Sequence, residues 1–111
     1  MAGALAGIRV LEVGDLVSAA YATKLLADLG ADVVKIEPPG RGDASHRRGP
    51  YPGNEPHPER SGLFLYLNAN KRGITLDLEQ PRGRDALDAL VRGTDLLVHN
   101  VHPSEVAAHG L

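Results

Sequence analysis

The chain has 111 residues, which supports one modest domain, because single hydrophobic cores typically form at about 100–150 residues. Hydrophobic residues make up 42% of it and charged residues 23%, a balance that excludes intrinsic disorder, and the formal net charge of −2 gives no reason to expect nucleic acid or an anionic membrane as a partner. Cysteine is absent, so disulfides, thiolate catalysis and cysteine-ligated metals are excluded within the chain.

No targeting segment is readable. The apolar stretch that follows Met1 lacks a basic region and is broken by Arg9 and Glu12, unlike a secretory signal. The longest apolar-rich run, residues 16–29, contains charged side chains and falls short of the roughly 20 apolar residues that a membrane span needs. We therefore expect a cytoplasmic location and no membrane partner.

The first forty residues predict a βαβ unit. Residues 8–13 are mostly apolar and form a predicted strand, which ends at Gly14. From Leu16 to Leu29 apolar residues recur at spacings of three and four, as in an amphipathic helix, and Gly30 ends that helix. Residues 31–37 predict a second strand, which two prolines terminate.

The rest of the chain predicts a long loop and two further strands. Residues 38–60 hold six of the eight prolines and little periodic apolar content, so we expect an irregular loop there. Residues 61–67 predict a helical turn and residues 73–78 a strand. A helix over 81–92, a fourth strand over 95–100 and a short helix over 103–109 complete the pattern.

This alternation of strands and helices predicts an α/β fold, a parallel sheet of about four strands with flanking helices. Parallel strands are joined by right-handed crossovers, which place helices on the sheet faces and binding loops at the carboxyl ends of the strands. The chain stops soon after the fourth strand, so we expect an incomplete large domain.

A dinucleotide site is one possible interpretation of the first strand-helix turn. Gly14 follows a strand, and Glu37 stands about 20 residues further on, where a ribose hydroxyl would be held. The turn has one glycine where that fingerprint needs three, which favours an ordinary strand end with Asp15 as the helix cap. The Gly40–Asp43 turn, likewise, is either a place where a ligand approaches the backbone or a plain surface turn.

Six of the twelve basic residues fall between positions 41 and 72: Arg41, Arg47, Arg48, Arg60, Lys71 and Arg72. Beside glycine turns such a cluster can bind phosphates through charge-assisted hydrogen bonds. A solvated loop with scattered charge is the interpretation that we favour.

The five histidines suggest a metal, but His99 and His102 would point to opposite faces of a strand, so we expect no metal site.

Five segments, taken in order, resemble the N-terminus of the family III CoA-transferases. They are residues 5–13, 22–43, 68–72, 76–78 and 95–100, and together they span nearly the whole chain. Each segment is weakly specific alone, whereas their order and spacing are specific together. The family includes carnitine and formyl-CoA transferases and is also home to α-methylacyl-CoA racemases.

The resemblance implies a Rossmann-like large domain, of which residues 1–111 would be the N-terminal, CoA-binding part, with residues 38–60 as a loop-rich stretch. It implies coenzyme A as the cofactor, with acyl-CoA and a carboxylic acid acceptor as the reaction partners. It also implies that the full-length protein is a homodimer of two interlocked subunits.

The resemblance further implies which residues contact CoA: Val17 and Ser18 after the first strand, Leu76, Asp77, Leu78 and Glu79 at the end of the third, and Asn100, Val101 and His102 at the end of the fourth. Lys71 and Arg72 match an Asn-Lys-Arg element and could lie near the nucleotide or support the following strand. The chain departs from the family at Pro38, where members often carry a basic residue, and after the fourth strand, where an arginine is missing.

The resemblance places the chemistry outside this chain. In the transferases a downstream aspartate attacks the acyl-CoA thioester, and in the racemases a downstream His/Asp pair moves the α-proton. Asp15, Asp43 and Asp77 do not match the nucleophile position, so we expect no catalytic residue here. Three functions stay open: part of a CoA-transferase, part of a racemase-type enzyme, and a non-catalytic CoA- or nucleotide-binding module.

Overall fold

The computed structural model describes residues 3–111; residues 1 and 2, which belong to the stretch examined for a secretory signal, lie outside it. Its centre is a four-stranded, fully parallel sheet in the order β3-β2-β1-β4. The strands are β1 (Arg9–Val13), β2 (Asp32–Glu37), β3 (Arg72–Thr75) and β4 (Leu96–His99). The predicted α/β class, with a parallel sheet of about four strands, is confirmed.

Four helices accompany the sheet: α1 (Ser18–Asp28), α2 (Gly62–Leu67), α3 (Pro81–Val91) and α4 (Pro103–Val106). The first helix was expected from Leu16 but begins two residues later, because Leu16 has a φ of +59° that no right-handed helix contains. None of the helices in the described range is long and apolar enough to cross a membrane.

The third strand is shorter than the expected 73–78. Pairing with β2 stops at Glu37, whose neighbour Pro38 cannot donate a further ladder hydrogen bond. Beyond it the carboxylate of Asp77 accepts a hydrogen bond from the Glu79 backbone N–H at 3.1 Å, which turns the chain away from the sheet. Residues 76–79 therefore form a loop at the carboxyl edge.

The core has one layer on each face of the sheet. Leu11, Val13 and Ile36 pack with Leu78 and the fully buried Leu87 of α3. On the other face Val10 and Val33 pack with Ala27 of α1 and with Ala31. The alternation of side chains along β1 produces this division, and the helices leave the carboxyl ends of the strands uncovered.

The segment over residues 38–60 is irregular, as expected, but it is anchored. It contains two short 3-10 turns, Ala44–Arg47 and Pro52–Asn54. The hydroxyl of Ser61 lies 2.7 Å from the carbonyl oxygen of Ser45 and 2.5 Å from that of Arg48. These contacts fix the segment to the start of α2, and the hydrogen bond from the Asp43 N–H to the Glu37 carboxylate fixes it beside the carboxyl end of β2.

Candidate functional site

A cleft of about 530 Å³ opens at the carboxyl ends of the strands. Three segments form most of its wall, residues 13–15 after β1, residues 76–79 after β3 and residues 100–102 after β4. Pro38, Pro39 and Gly42 complete one rim, and Glu105 and His109 the opposite one. Open parallel sheets bind their ligands in this position, outside the carboxyl ends of the strands.

Most of the residues expected to contact CoA meet in this cleft. Leu76–Glu79 and Asn100–His102 line it directly. Ser18 lies at its edge, where its hydroxyl accepts a hydrogen bond from Asn100 at 2.9 Å, and Val17 precedes it with about half of its surface exposed. Two separate loops and the first turn of α1 are thus brought together as the sequence predicted, while contact with CoA stays a prediction.

Asn100 ties the end of β4 to the turn after β1. Its Oδ1 accepts a hydrogen bond from the Asp15 N–H at 2.8 Å, and its Nδ2 donates to the Asp15 carbonyl oxygen at 2.7 Å. A Cβ atom at Gly14 would come within 2.5 Å of Asn100 Oδ1, so this close approach requires glycine. One side chain thereby sets the position of two walls of the cleft.

A buried cluster of charges, centred on Glu12 in β1, lies on the face of the sheet that α1 covers. Lys35 Nζ and Lys71 Nζ each lie 2.7 Å from one of the Glu12 carboxylate oxygens, and the Thr23 hydroxyl donates to it at 2.7 Å. Lys35 also pairs with Asp43 at 2.8 Å, and the four charged side chains are at most 2% exposed. Two cations and two carboxylates thus balance inside the fold.

The partners decide the direction in which each pKa moves. Burial opposes ionisation of Glu12 and Asp43, but the contacts with Lys35 outweigh it, so the pKa of each carboxyl lies below its ordinary value. Burial also opposes the charge on Lys35, but its two carboxylate partners raise its pKa. Burial lowers the pKa of Lys71, which has one carboxylate partner and lies near the Lys35 charge.

Lys71 and Arg72 face away from the cleft. Lys71 Nζ contacts three oxygens, those of the Glu12 carboxylate, the Ala20 carbonyl at 2.9 Å and the Asn68 side chain at 2.8 Å. Arg72 lies at the start of β3 and makes two hydrogen bonds to the Asp32 carboxylate, at 3.0 and 2.7 Å. These contacts are those of residues that support the strand, one of the two roles left open by the sequence.

The described wall of the cleft is acidic. It includes four carboxylates, from Asp15, Asp77, Glu79 and Glu105, and no lysine or arginine among the residues that the structure describes. Of the six basic residues between positions 41 and 72, Lys71 is internal, Arg72 pairs with Asp32, and the others lie on exposed loop. The structure therefore scatters the basic residues and does not assemble them into one phosphate site.

His102 in the cleft and His99 at the end of β4 make local contacts. His102 Nδ1 lies 2.8 Å from the Ser104 hydroxyl and accepts a hydrogen bond from the Ser104 N–H at 3.2 Å, so it caps α4 through one ring nitrogen. His99 Nδ1 similarly accepts from the Val101 N–H at 3.1 Å. Within residues 3–111 no three His, Asp or Glu side chains are placed to hold a metal ion together.

Sequence reasoning missed several residues of this region. Glu105 and His109 line the cleft but were not expected there, whereas Gly14 and Asp15 were expected at the binding edge of the sheet without a role in contacting CoA. The charge cluster was also missed, although a signal for it exists: Glu12 and Lys35 interrupt two apolar strands and lie opposite each other in the register of the sheet. A charged residue in the middle of an apolar strand needs a buried partner.

Known proteins share both the sequence pattern and the fold. The pattern that describes the CoA-transferase family III matches residues 5–111. The chain therefore belongs to this family, which confirms the resemblance stated from the sequence.

Curated relatives are CoA-transferases of much greater length. The chain is 43% identical to the formyl-CoA:oxalate CoA-transferase of Afipia carboxidovorans and 45% identical to that of Rhodopseudomonas palustris (strain TIE-1), in each case over 104 residues, 93% of this chain and 23% of the relative. It is 43% identical over 91 residues to subunit BbsE of the succinyl-CoA:(R)-benzylsuccinate CoA-transferase of Thauera aromatica, covering 82% of this chain and 22% of that protein. The chain thus spans under a quarter of their length.

Solved structures of longer proteins share the fold of this chain. A CAIB/BAIF family protein from Brucella suis superposes with a TM-score of 0.86 at 30% identity, over 100% of this chain and 29% of that one. The hypothetical protein Rv3272 from Mycobacterium tuberculosis gives a TM-score of 0.84 at 29% identity, over 99% of this chain and 28% of that one.

Proposed function

We propose that the protein that carries these residues transfers CoA from an acyl-CoA to a carboxylic acid, and that residues 1–111 contribute part of its CoA site. The observation that carries the proposal is the 43–45% identity, over 93% of this chain, to proteins named as formyl-CoA:oxalate CoA-transferases. The cleft at the carboxyl ends of β1, β3 and β4 supports it, because ligands of open α/β sheets bind there.

The chemistry of the cleft indicates which part of CoA it would hold. Its apolar walls, from Val13, Ile36, Leu76, Leu78 and Val101, suit the adenine ring or the pantetheine arm. The four carboxylates around them would repel phosphates. We therefore expect the phosphates of CoA to lie outside this wall and to take their cations from elsewhere in the complete protein.

The transfer itself would use an aspartate outside these 111 residues. Its carboxylate attacks the acyl-CoA thioester and expels CoA thiolate, which leaves a mixed anhydride. The thiolate then attacks the aspartyl carbonyl, releases the acyl group as a carboxylate and forms an aspartyl-CoA thioester. The acceptor carboxylate next attacks the aspartyl-CoA thioester and expels the thiolate, which leaves a second mixed anhydride. The thiolate then attacks the acceptor's carbonyl in that anhydride, which gives the new acyl-CoA and restores the aspartate.

Contacts within the chain support the proposal that its own aspartates are not the nucleophile. The carboxylate of Asp15 accepts from the Ala44 N–H, that of Asp43 is buried against Lys35, and that of Asp77 accepts from the Glu79 N–H. Each of these aspartates has a structural partner.

The dimer that the resemblance implies is part of the proposal. Analytical ultracentrifugation of the complete protein is expected to give twice the subunit mass. A monomer at micromolar concentration would contradict this part and leave the transfer to be tested separately.

The transfer is tested with the complete protein, formyl-CoA as donor and oxalate as acceptor, with succinyl-CoA as a second donor. Liquid chromatography is expected to show a new CoA thioester that forms only when the acceptor acid is present. Binding of CoA without exchange between any acids would support the binding module instead. Solvent deuterium at the α-carbon of a 2-methylacyl-CoA, without an acceptor, would support the racemase.

A further inference from the structure

The turn between β1 and α1, residues Gly14–Val17, contains a residue in an unfavourable backbone conformation. Leu16 has a φ of +59°, in the left-handed region that residues with a side chain rarely adopt. Such a conformation persists only where the surroundings hold it. Gly14 and Asp15 of this turn line the cleft, so a contact that holds their neighbour Leu16 also shapes the cleft.

The contact that holds Leu16 comes from the segment after β2. The Leu16 N–H donates a hydrogen bond to Asp43 Oδ1 at 3.0 Å. The Ala44 N–H donates in the opposite direction, to the carboxylate of Asp15. Asn100, which follows β4, makes two hydrogen bonds to the Asp15 backbone in the same turn, so the turn is held from two sides.

Asp43 is itself held by several contacts. Its side chain is fully buried, and Oδ1 also accepts from the N–H and the hydroxyl of Ser45, both at 2.8 Å. Its Oδ2 lies 2.8 Å from Lys35 Nζ, and Lys35 pairs in turn with Glu12 in β1. The acceptor that orients the Leu16 N–H is thus anchored to the centre of the sheet, although Asp43 is not among the residues of the cleft wall.

We propose that Asp43 is a positioning residue for the CoA site, which acts through Leu16 to hold the Gly14–Val17 turn in the conformation that the ligand meets. The inference rests on the proposed function for its ligand, but the geometry of the turn stands without it. Asp43 would not contact the reacting atoms, so we expect its substitution to change the binding of CoA and not the rate of the chemical step.

The kinetic test compares three variants of the complete protein in the transfer assay. Asp43→Ala removes the acceptor, so the KM for acyl-CoA is expected to rise about tenfold while kcat changes less than about threefold, as expected for a lost hydrogen bond that orders a binding loop. Asp43→Asn keeps an oxygen acceptor at Oδ1, where three donors converge, but turns its amide nitrogen toward Lys35 and loses that ion pair. Its thermal stability is therefore expected to fall, while its KM is expected to stay within about threefold of wild type. Thr23→Val is the control, since it removes a buried hydrogen bond to Glu12 without touching the turn.

A purely structural role for Asp43 gives a different pattern, in which thermal stability falls in all three variants and KM stays unchanged. That pattern overturns the inference. Should Asp43→Ala fail to fold, a tenfold rise in the KM of Asp43→Asn that is absent in Thr23→Val overturns the inference, and so does fast exchange of the Leu16 amide in the wild-type protein.

A second measurement does not depend on CoA. Amide hydrogen exchange at Leu16 is expected to be slow in wild type and in Asp43→Asn, and at least about tenfold faster in Asp43→Ala. An unchanged rate in Asp43→Ala overturns the inference. If the wild-type protein transfers no CoA, the proposed function fails, and this exchange rate still decides whether Asp43 holds the turn.

Discussion

At the scale of single residues, the buried charge cluster around Glu12 is the place where losing one side chain should destabilise the fold most. Glu12 pairs with both Lys35 and Lys71 at 2.7 Å in the interior, and Asp43 supplies the second negative charge. Removing one partner of such a buried set leaves an uncompensated charge, which typically costs about 3–5 kcal/mol. An exposed pair such as Lys24 and Asp28 is screened by water and contributes little.

Glu12→Gln is therefore expected to lower the free energy of unfolding by about 3 kcal/mol or more, measured by urea denaturation with circular dichroism. Asp28→Asn is the matched control, because it breaks an ion pair of the same 2.7 Å length on the surface, and its midpoint is expected to match wild type. Equal midpoints for the two variants would contradict the prediction, because they would show that breaking the buried cluster costs no more than breaking a surface pair.

The same cluster predicts how stability depends on acid. The pKa values of Glu12 and Asp43 are lowered from 4.5 and 3.8 in the folded state, so the unfolded chain binds more protons as the pH falls. Their contribution is complete above about pH 5 and is lost as the pH falls below those ordinary values toward the folded ones. Urea midpoints between about pH 3 and pH 7 should fall less steeply in Glu12→Gln than in wild type, and parallel curves would contradict the prediction.

A third prediction concerns Asn100. Asn100→Asp keeps the size of the side chain but removes the Nδ2 donor to the Asp15 carbonyl oxygen and to the Ser18 hydroxyl. Two lost hydrogen bonds of about 1 kcal/mol each should weaken CoA binding by roughly tenfold or more, measured by calorimetry on the complete protein. Unchanged affinity for CoA would mean that these two hydrogen bonds from Asn100 do not shape the CoA site.

At the scale of elements, the sequence predicted the order and type of all four strands and of the main helices. The periodic segments were predictable because burial on a sheet or helix face leaves a spacing in the sequence. The end of β3 and the start of α1 were not, since they depend on the Asp77 turn and on Leu16, whose conformation is set by a contact from a residue 27 positions away. Long-range hydrogen bonds leave no local pattern.

The contact between α3 and the loop before it is tight enough to test. A Cβ atom at Gly83 would come within 1.9 Å of the Asp77 carbonyl oxygen, so Gly83→Ala must displace the loop that forms one wall of the cleft. We expect a loss of about 1–3 kcal/mol in unfolding free energy, together with weaker CoA binding. Gly73→Ala in β3 is the control, because nothing lies within 4 Å of its Cβ position; similar losses in both variants would contradict this account.

At the scale of the whole molecule, the sequence located the cleft but not its charge. The segments at 76–79 and 100–102 were expected at the carboxyl edge from topology and resemblance, and they line the cleft. Its carboxylates and the burial of Lys71 became visible only in three dimensions, because basic residues that are neighbours in sequence diverge to different faces. The chain covers 22–23% of its curated relatives, so the remaining contacts of a CoA site are a matter for the complete protein.

The central claim is that CoA binds at the carboxyl ends of the strands. Hydrogen exchange of the complete protein, with and without CoA, tests it most directly. We predict slower exchange on CoA addition at residues 13–18, 76–79 and 100–102, and no change in the exposed loop over residues 52–60. Slower exchange confined to segments other than those three, with their rates unchanged, would contradict the claim.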